Sequence, residues 1–234
     1  MVSFAGATPV FVDVEYDTCN ICVTSLKKAI DRVKQEGNLV PKAIVSVDLF
    51  GQPANYPKLF DVASENGLYI LEDGAQGFGG AIGDKKACSF GDISTTSFFP
   101  MKPLGCYGDG GAVFTDNREW AEIIRSFCVH GKGNSKYDNV RVGMNSRLDT
   151  LQAAVLLAKF PLFISEELNS INKNAAYYTE ELRGIVDTPV IYDGFYSSWA
   201  QYTIKVSNKQ QRNGLQKYLR ENNIPTFIYY PKPM

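Results

Sequence analysis

The sequence has little of what metal sites and disulfide scaffolds are built from. Its 234 residues include one histidine, His130, and five cysteines at irregular spacing. An odd number of unevenly spaced cysteines does not form a disulfide framework. A structural zinc site needs four ligands, so the single Cys-x-x-Cys pair, Cys19 and Cys22, predicts no zinc site. Without a thioredoxin-like context it predicts no redox site either. We expect no metal, and we interpret the cysteines as small buried residues.

Neither sign of charge dominates the chain, and no apolar run is long. The 24 Lys and Arg residues against 25 Asp and Glu residues give a net charge of −1, which argues against non-specific nucleic-acid binding. No apolar run reaches the ~18–20 residues of a membrane span. The first residues lack the basic region and apolar core of a secretory signal. These absences predict a cytoplasmic protein without membrane or nucleic-acid partners.

Strand-like and helix-like segments alternate along the first part of the chain. Apolar runs rich in β-branched residues predict strands, and apolar residues at three- and four-residue spacing predict helices. The predicted strands are residues 9–14, 43–47, 68–71, 93–99 and 112–115, and the predicted helices are residues 24–35, 56–65 and 118–128. This alternation predicts an α/β fold with a mostly parallel sheet and helices on both faces.

The pattern changes in the second half of the chain. Residues 148–160 are apolar enough for a buried helix, and an amphipathic helix follows from residue 162. Further predicted elements are a strand at 200–206, a helix at 209–221 and a strand at 226–230. We therefore predict a large domain over residues 1–160, followed over residues 161–234 by a linker helix and part of a small α+β domain.

The segment Glu-Asp-Gly-Ala-Gln at residues 72–76 directly follows a predicted strand. Ligands bind at the carboxyl ends of strands in open α/β sheets, so Asp73 and Gln76 are candidate site residues. A carboxylate at this place would hold a cationic ring nitrogen. The alternative interpretation is a helix N-cap or a turn residue, which the segment taken alone favours.

A second segment surrounds one lysine, Lys102, with apolar neighbours and with Pro100 and Pro103 on either side. The prolines and a following glycine fix an irregular backbone that would hold the amine in place. A desolvated lysine amine is a usable nucleophile for a Schiff base. The alternative interpretation is an ordinary surface lysine in a loop.

The glycine-rich stretch at residues 105–111 leads into a predicted strand. Phosphate-binding glycine loops instead follow a strand and open a helix. We therefore interpret these glycines as allowing the backbone to pack closely against a cofactor or another subunit.

Together these segments resemble the pyridoxal-phosphate-dependent nucleotide-sugar aminotransferases of the DegT/DnrJ/StrS family. The resemblance spans essentially the whole chain and is carried by ordered motifs at residues 5–13, 49–53, 72–76, 91–111, 145–149, 199–203 and 230–233. It implies a fold-type-I, aspartate-aminotransferase-like large domain. Residues 102–111 and 198–203 resemble the subgroup that acts on UDP-N-acetyl-keto-hexuronates and related UDP-amino-sugars.

The resemblance implies a role for each candidate residue. Lys102 matches the lysine that holds pyridoxal 5′-phosphate and moves a proton during transfer. Asp73 matches the carboxylate that keeps the pyridine nitrogen protonated, which lets the ring act as an electron sink. Gln76 matches the residue beside the phenolic oxygen of the cofactor, and Ser97 matches a phosphate ligand.

Two further matches concern assembly and substrate. Asn145 matches a residue that reaches the phosphate of the neighbouring subunit's cofactor, which implies a homodimer with shared sites. Arg147 is a candidate contact for an anionic substrate. The resemblance implies transfer of an amino group from an amino acid, expected to be glutamate, to a keto group of a UDP-linked sugar. Such sugars serve surface-polysaccharide and lipopolysaccharide synthesis.

Two departures from the family pattern leave alternatives open. Many relatives have a histidine where this chain has Asp48. Relatives also continue at both ends, with a Gly-Thr phosphate-binding turn upstream, so we expect a chain truncated at both ends with an incomplete phosphate cup. One alternative is an inactive homologue that acts as a dimer partner or relic. Another is a sugar dehydratase of the same fold. Because such dehydratases have histidine at the lysine position, Lys102 favours amino transfer.

Overall fold

The structure, a computed structural model, describes residues 2–135 and 137–232, so Pro233 and Met234 of the predicted second domain lie outside it. Its helices are α1 (Val23–Glu36), α2 (Tyr56–Asn66), α3 (Arg118–Cys128), α4 (Thr150–Leu162), α5 (Leu168–Glu181) and α6 (Lys209–Glu221). Its strands are β1 (Ala43–Val47), β2 (Tyr69–Asp73), β3 (Ala81–Ile82), β4 (Lys85–Lys86), β5 (Ile93–Ser97), β6 (Gly111–Phe114) and β7 (Phe195–Tyr196). Short helical turns lie at Ser3–Ala5, Leu49–Gly51 and Phe163–Glu167.

The main sheet has four strands in the order β1-β2-β5-β6. Strands β1, β2 and β5 are parallel, and β6 is antiparallel to β5. The register pairs Val47 with Asp73 and Asp73 with Thr95. Because the parallel strands run in the same direction, their carboxyl ends share one edge of the sheet. This arrangement confirms the predicted mostly parallel α/β sheet.

One face of the sheet is covered by α1 and α2. Asn55 caps the start of α2 by accepting a hydrogen bond from the Lys58 backbone N–H, and Gly67 ends the helix in the left-handed conformation. The ring of Tyr56 stacks on Phe90 at a centroid distance of 4.6 Å. The core between helices and sheet is built from buried apolar residues, among them Leu26, Ile30, Ile44, Leu59, Val62 and Ile70.

The opposite face of the sheet is only partly covered. Val45 on β1 and Val113 on β6 point away from the core and are 45% and 46% exposed. On this side the Trp120 ring of α3 meets Tyr69 at the start of β2, with 5.4 Å between ring centroids. The prediction of helices on both faces therefore holds only in part.

Helix α4 continues through the Phe163–Glu167 turn into α5, which lies within the amphipathic helix predicted from residue 162. Phe163 and Leu168 are buried in a second core cluster with Phe98 and Cys106. The helix predicted at residues 148–160 is present as α4, but the prediction that it is buried is wrong. Leu151, for example, is 79% exposed.

Three predicted strands are wrong. In residues 9–14 and 200–206 only isolated bridges form, between Val14 and Ile21 and between Asp187 and Lys205. Residues 226–230 have no strand pairing. An extended apolar segment becomes a strand only where a neighbour completes its hydrogen bonds.

A second, antiparallel sheet with the order β4-β3-β7 joins the two halves of the chain. Its β3 lies within the predicted large domain and β7 within the predicted small one. The division after residue 160 stays a prediction.

The five cysteines are all unpaired. Cys88 and Cys106 are buried as expected, but Cys19, Cys22 and Cys128 are only half-buried, so the prediction of buried cysteines is wrong for these three. In the part of the chain that the structure describes, no helix is long and apolar enough to cross a membrane.

Candidate active site

The carboxyl edge of the main sheet brings four of the predicted site residues to one region. Asp73 is the last residue of β2 and Ser97 is the last residue of β5. Gln76 follows in the turn after β2, and Lys102 lies in the loop after β5. This loop returns to its start because the Cys106 backbone N–H donates to the Phe98 carbonyl at 2.8 Å.

Asp73 uses one of its carboxylate oxygens locally. Its Oδ1 accepts a hydrogen bond of 3.1 Å from the backbone N–H of Ala75. The second oxygen, Oδ2, accepts none from residues 2–135 and 137–232. Residues 75–79 form turns and no helix, so the helix-cap alternative is wrong, whereas the turn interpretation is right. One oxygen remains for a ligand.

Gln76 is 9% exposed and connects three segments. Its side-chain Oε1 accepts a hydrogen bond of 2.6 Å from the backbone N–H of Phe50, in the turn that follows β1. Its Nε2 donates to the Tyr230 hydroxyl at 3.4 Å. Its backbone carbonyl accepts from the Ser198 hydroxyl at 2.6 Å. The amide group is therefore fixed at the sheet edge.

Lys102 is held by its backbone and not by its amine. Its backbone N–H donates to the Phe99 carbonyl at 2.8 Å. Its Nζ has no hydrogen-bond or ion-pair partner among the described residues. The half-buried amine is thus available to an electrophile.

The glycine-rich stretch packs against the loop that carries this lysine. A Cβ built on Gly105 would lie 2.5 Å from the Pro100 carbonyl oxygen, so only glycine fits there. This close packing is against the chain's own loop, and packing of the glycine-rich stretch against a cofactor or another subunit stays a prediction. The close approach of Gly105 shapes the backbone around Lys102.

Ser97 offers a hydroxyl at the same edge. Its Oγ accepts a hydrogen bond of 3.3 Å from the backbone N–H of Phe99. In the described part of the chain the hydroxyl proton has no acceptor. The group can therefore donate to an anionic ligand.

Glu72, the residue before Asp73 on β2, is a fully buried carboxylate. It accepts four hydrogen bonds. Three come from the backbone N–H groups of Cys88 (2.5 Å), Phe90 (2.7 Å) and Gly91 (3.1 Å) in one turn, and the fourth comes from the Ser94 hydroxyl of β5 (2.7 Å). Each bond compensates part of the cost of removing the carboxylate from water. Burial, followed by the charge of Glu72, raises the pKa of the Cys88 thiol to about 12.

A second fully buried carboxyl group, Asp48, follows β1. Its Oδ1 accepts hydrogen bonds from the Ala54 backbone N–H at 3.0 Å and from the Tyr56 hydroxyl at 2.8 Å. Its Oδ2 has no partner among the described residues. Burial, followed by repulsion from Glu72, raises the pKa of Asp48 well above its ordinary value. Burial therefore favours the neutral form of the Asp48 carboxyl group.

Asn145 and Arg147 lie on an exposed segment that follows α3. The Arg147 Nε donates to the Asn145 Oδ1 at 2.8 Å, and Asn145 forms a bridge with Val129 at the end of α3. Within residues 2–135 and 137–232 neither side chain contacts Asp73 or Lys102. The predicted roles of this pair toward a neighbouring subunit and a substrate stay predictions.

Sequence reasoning missed the residues that fix Gln76. Phe50, Ser198 and Tyr230 all lie in segments that match the family, yet none has a side-chain pattern that predicts a contact with residue 76. Phe50 and Ser198 are 26 and 122 residues away from Gln76 in the chain. Only the shared membership of family motifs could have pointed to them.

Comparison with known proteins decides the family. The profile of the DegT/DnrJ/EryC1/StrS aminotransferase family matches residues 1–234. The chain belongs to this family. It is also 42% identical, over 234 residues, to the UDP-2-acetamido-2-deoxy-3-oxo-D-glucuronate aminotransferase of Pseudomonas aeruginosa. The alignment covers 100% of this chain and 62% of that protein. The chain thus spans less than two thirds of this relative.

Solved structures confirm the predicted fold class. The structure superposes on a DegT DnrJ EryC1 StrS aminotransferase from Brucella abortus with a TM-score of 0.95 and 48% identity, over 99% of this chain and 61% of that one. It also superposes on NtdA from Bacillus subtilis, solved with bound cofactor PMP, with a TM-score of 0.83 and 28% identity, over 99% of this chain and 52% of that one.

Proposed function

We propose that this chain takes part in pyridoxal-phosphate-dependent amino transfer to the keto group of a UDP-linked sugar, with glutamate as the expected amino donor. One observation carries the proposal. The unpaired amine of Lys102 lies at the same strand edge as the unpaired Oδ2 of Asp73, in a chain that belongs to an aminotransferase family. A nucleophilic amine and an anion that fits a ring nitrogen are the two groups this chemistry needs.

The unpaired groups at the sheet edge fit pyridoxal 5′-phosphate. An amine suits the aldehyde, a carboxylate oxygen suits the ring nitrogen, and the hydroxyl of Ser97 suits the phosphate. The PMP bound to NtdA supports this choice of cofactor. When bound, the cofactor supplies an electron sink.

The residues would divide the tasks. Lys102 would hold the cofactor and carry the transferred proton, which its lack of other partners allows. Asp73 would hold a proton on the ring nitrogen through Oδ2 while Oδ1 keeps its bond to Ala75. Gln76, fixed by Phe50, would lie beside the phenolic oxygen.

The substrate follows from the P. aeruginosa relative, whose name specifies a 3-oxo UDP-sugar acid. We propose a substrate of this class, a precursor of surface-polysaccharide or lipopolysaccharide sugars. Arg147 supports it, because a guanidinium binds a carboxylate or a phosphate with two parallel hydrogen bonds.

The proposal includes a homodimer in which Asn145 serves the cofactor phosphate of the neighbouring subunit. Its exposure, together with that of Val142 (94%) and Met144 (59%) on the same segment, supports a contact with a second chain. The five unpaired cysteines support a reducing, cytoplasmic location.

Dehydration of the sugar is the alternative reaction within this fold, and Lys102 supports amino transfer instead. The test is to incubate the purified protein with pyridoxal phosphate, L-glutamate and the 3-oxo UDP-sugar acid, and to measure 2-oxoglutarate. We expect 2-oxoglutarate and the amino sugar from the wild type and neither from Lys102→Ala. Release of water from the sugar without 2-oxoglutarate would favour the dehydratase, and absence of cofactor binding would favour the inactive homologue.

A further inference from the structure

Two segments that match the family, around Phe50 and around Ser198, supply no side chain to the proposed chemistry. Backbone hydrogen bonds join the two segments. The Ser198 backbone N–H donates to the Gly51 carbonyl at 3.0 Å, and the Gln201 backbone N–H donates to the Phe50 carbonyl at 3.4 Å. The turn after β1 is thus bonded to a segment almost 150 residues further along the chain.

The hydroxyl of Ser198 extends this contact to Gln76. Ser198 is 1% exposed, and its Oγ lies 2.6 Å from the Gln76 carbonyl oxygen and 3.4 Å from the Gly51 carbonyl oxygen. A hydroxyl has one proton to donate, and the shorter distance assigns it to Gln76.

The contacts close into a ring. Ser198 holds the backbone of Gln76, the Gln76 side chain holds the N–H of Phe50, and the Gly51 carbonyl holds the N–H of Ser198. Each of the three segments is thus hydrogen-bonded to the other two.

The backbone on both sides of the ring is strained. Phe50 and Trp199 have positive φ angles of 61° and 50°, which residues other than glycine rarely adopt. A Cβ on Gly51 would lie 2.7 Å from the Ser198 Oγ. Such conformations persist only where the surroundings hold them, so the ring leaves little freedom to the Gln76 amide.

We propose that Ser198 is a positioning residue of the active site: its hydroxyl fixes the backbone of Gln76 and so holds the Gln76 amide in place. This inference rests on the proposed function, in which that amide lies beside the cofactor ring. A residue in the second half of the chain thereby fixes the side chain that lies beside the cofactor ring in the proposed function.

The variant Ser198→Ala removes the donor, and Ser197→Ala is its matched control. Ser197 is the neighbouring serine and is 2% exposed, but its Oγ accepts from the Trp199 backbone N–H at 3.0 Å and does not contact Gln76. In the protein without cofactor, we expect hydrogen exchange of the Phe50 amide to accelerate about tenfold in Ser198→Ala, the scale of one lost hydrogen bond. In Ser197→Ala we expect no change.

A second measurement separates positioning from general packing. The dissociation constant for pyridoxal phosphate should rise in Ser198→Ala, and the pH dependence of the bound cofactor's absorbance should shift. In the background of Gln76→Ala both effects of Ser198→Ala should disappear, because a residue that acts through the Gln76 side chain has nothing left to position.

Unchanged Phe50 exchange in Ser198→Ala, equal effects of the two serine variants, or an undiminished effect in the Gln76→Ala background would each overturn the inference. Failure of the wild type itself to bind pyridoxal phosphate would overturn the proposed function, and the Phe50 exchange would still decide whether Ser198 fixes Gln76.

Discussion

The backbone N–H of Asp48 donates to the backbone carbonyl of Asp73 at 3.0 Å. This bond extends the parallel pairing of β1 and β2 to the edge of the sheet, so the buried carboxyl group of Asp48 and the carboxylate of Asp73, proposed to bind the cofactor, lie at adjacent strand ends. A Cβ on Gly77 would overlap the Asp48 carboxyl group, which places that group directly against the turn that carries Gln76. The two aspartates therefore make separable predictions.

Replacing Asp73 by asparagine should strongly reduce turnover and leave the fold intact. The asparagine Oδ1 can keep the bond to the Ala75 N–H, but the side chain no longer carries the charge that holds a proton on the ring nitrogen. We expect turnover to fall on the order of a hundredfold, the scale of a misplaced catalytic proton, while unfolding free energy changes by less than about 1 kcal/mol.

The matched control for this variant is Asp92→Asn. Asp92 also accepts from a backbone N–H, that of Ile70 at 2.7 Å, but at the opposite edge of the sheet. Turnover should be unchanged in the control. Normal turnover in Asp73→Asn together with a loss of stability would mean that Asp73 serves the turn alone.

Replacing Asp48 by asparagine should remove a pH dependence of stability. The pKa of Asp48 is raised in the folded protein by burial and by Glu72, so folding takes up a proton above the unfolded pKa of about 3.9. The wild-type unfolding free energy should therefore fall as the pH rises from the unfolded pKa toward the folded pKa of Asp48. The slope for this one proton is up to about 1.4 kcal/mol per pH unit.

Urea unfolding of both proteins at a series of pH values measures this effect. The unfolding free energy of Asp48→Asn relative to wild type should increase as the pH rises above about 4, because the amide needs no proton. Parallel curves would show that folding does not raise the pKa of Asp48.

The five cysteines should differ in reactivity toward iodoacetamide. Cys88 is buried and its pKa is raised to about 12, so almost no thiolate forms at neutral pH. Cys106 is buried too, whereas Cys19, Cys22 and Cys128 are half-exposed. Peptide mass spectrometry of the folded protein at pH 8 should find label on these last three. Rapid labelling of Cys88 would contradict the described burial.

Shared sites in a homodimer predict complementation between two inactive variants. Lys102→Ala lacks the lysine, and Asn145→Ala lacks the group lent to the neighbour. A mixed dimer of the two contains one complete site, so equal mixing should restore about a quarter of the wild-type sites. Sedimentation velocity checks the dimer itself. A monomer, or a mixture that recovers no activity, would exclude site sharing.

The parts of the fold that the sequence predicts are those with strong local signals. The predicted bounds of β1 and α3 match the structure residue for residue, because an apolar β-branched run and a regular amphipathic repeat each specify one conformation. The extended segments at residues 9–14, 200–206 and 226–230 carry a similar apolar pattern. They fail as strands because pairing depends on a neighbour that the local sequence does not reveal.

The candidate site likewise has a part that the sequence predicts and a part that it does not. Asp73, Gln76 and Lys102 follow predicted strands and Ser97 lies near the end of one, so a parallel sheet alone predicts that they meet at one edge. The contacts that fix them, such as Ser198 to Gln76 across 122 residues, arise from tertiary packing. No periodicity in the sequence encodes such a contact.

The most direct test of the account is to locate the lysine that binds the cofactor. The protein is incubated with pyridoxal phosphate, reduced with borohydride and digested, and the pyridoxyl adduct is mapped by mass spectrometry. We predict an adduct on Lys102 in the wild type and in the exposed-lysine control Lys86→Ala, and none in Lys102→Ala. An adduct on another lysine, or an equal adduct in Lys102→Ala, would contradict the account.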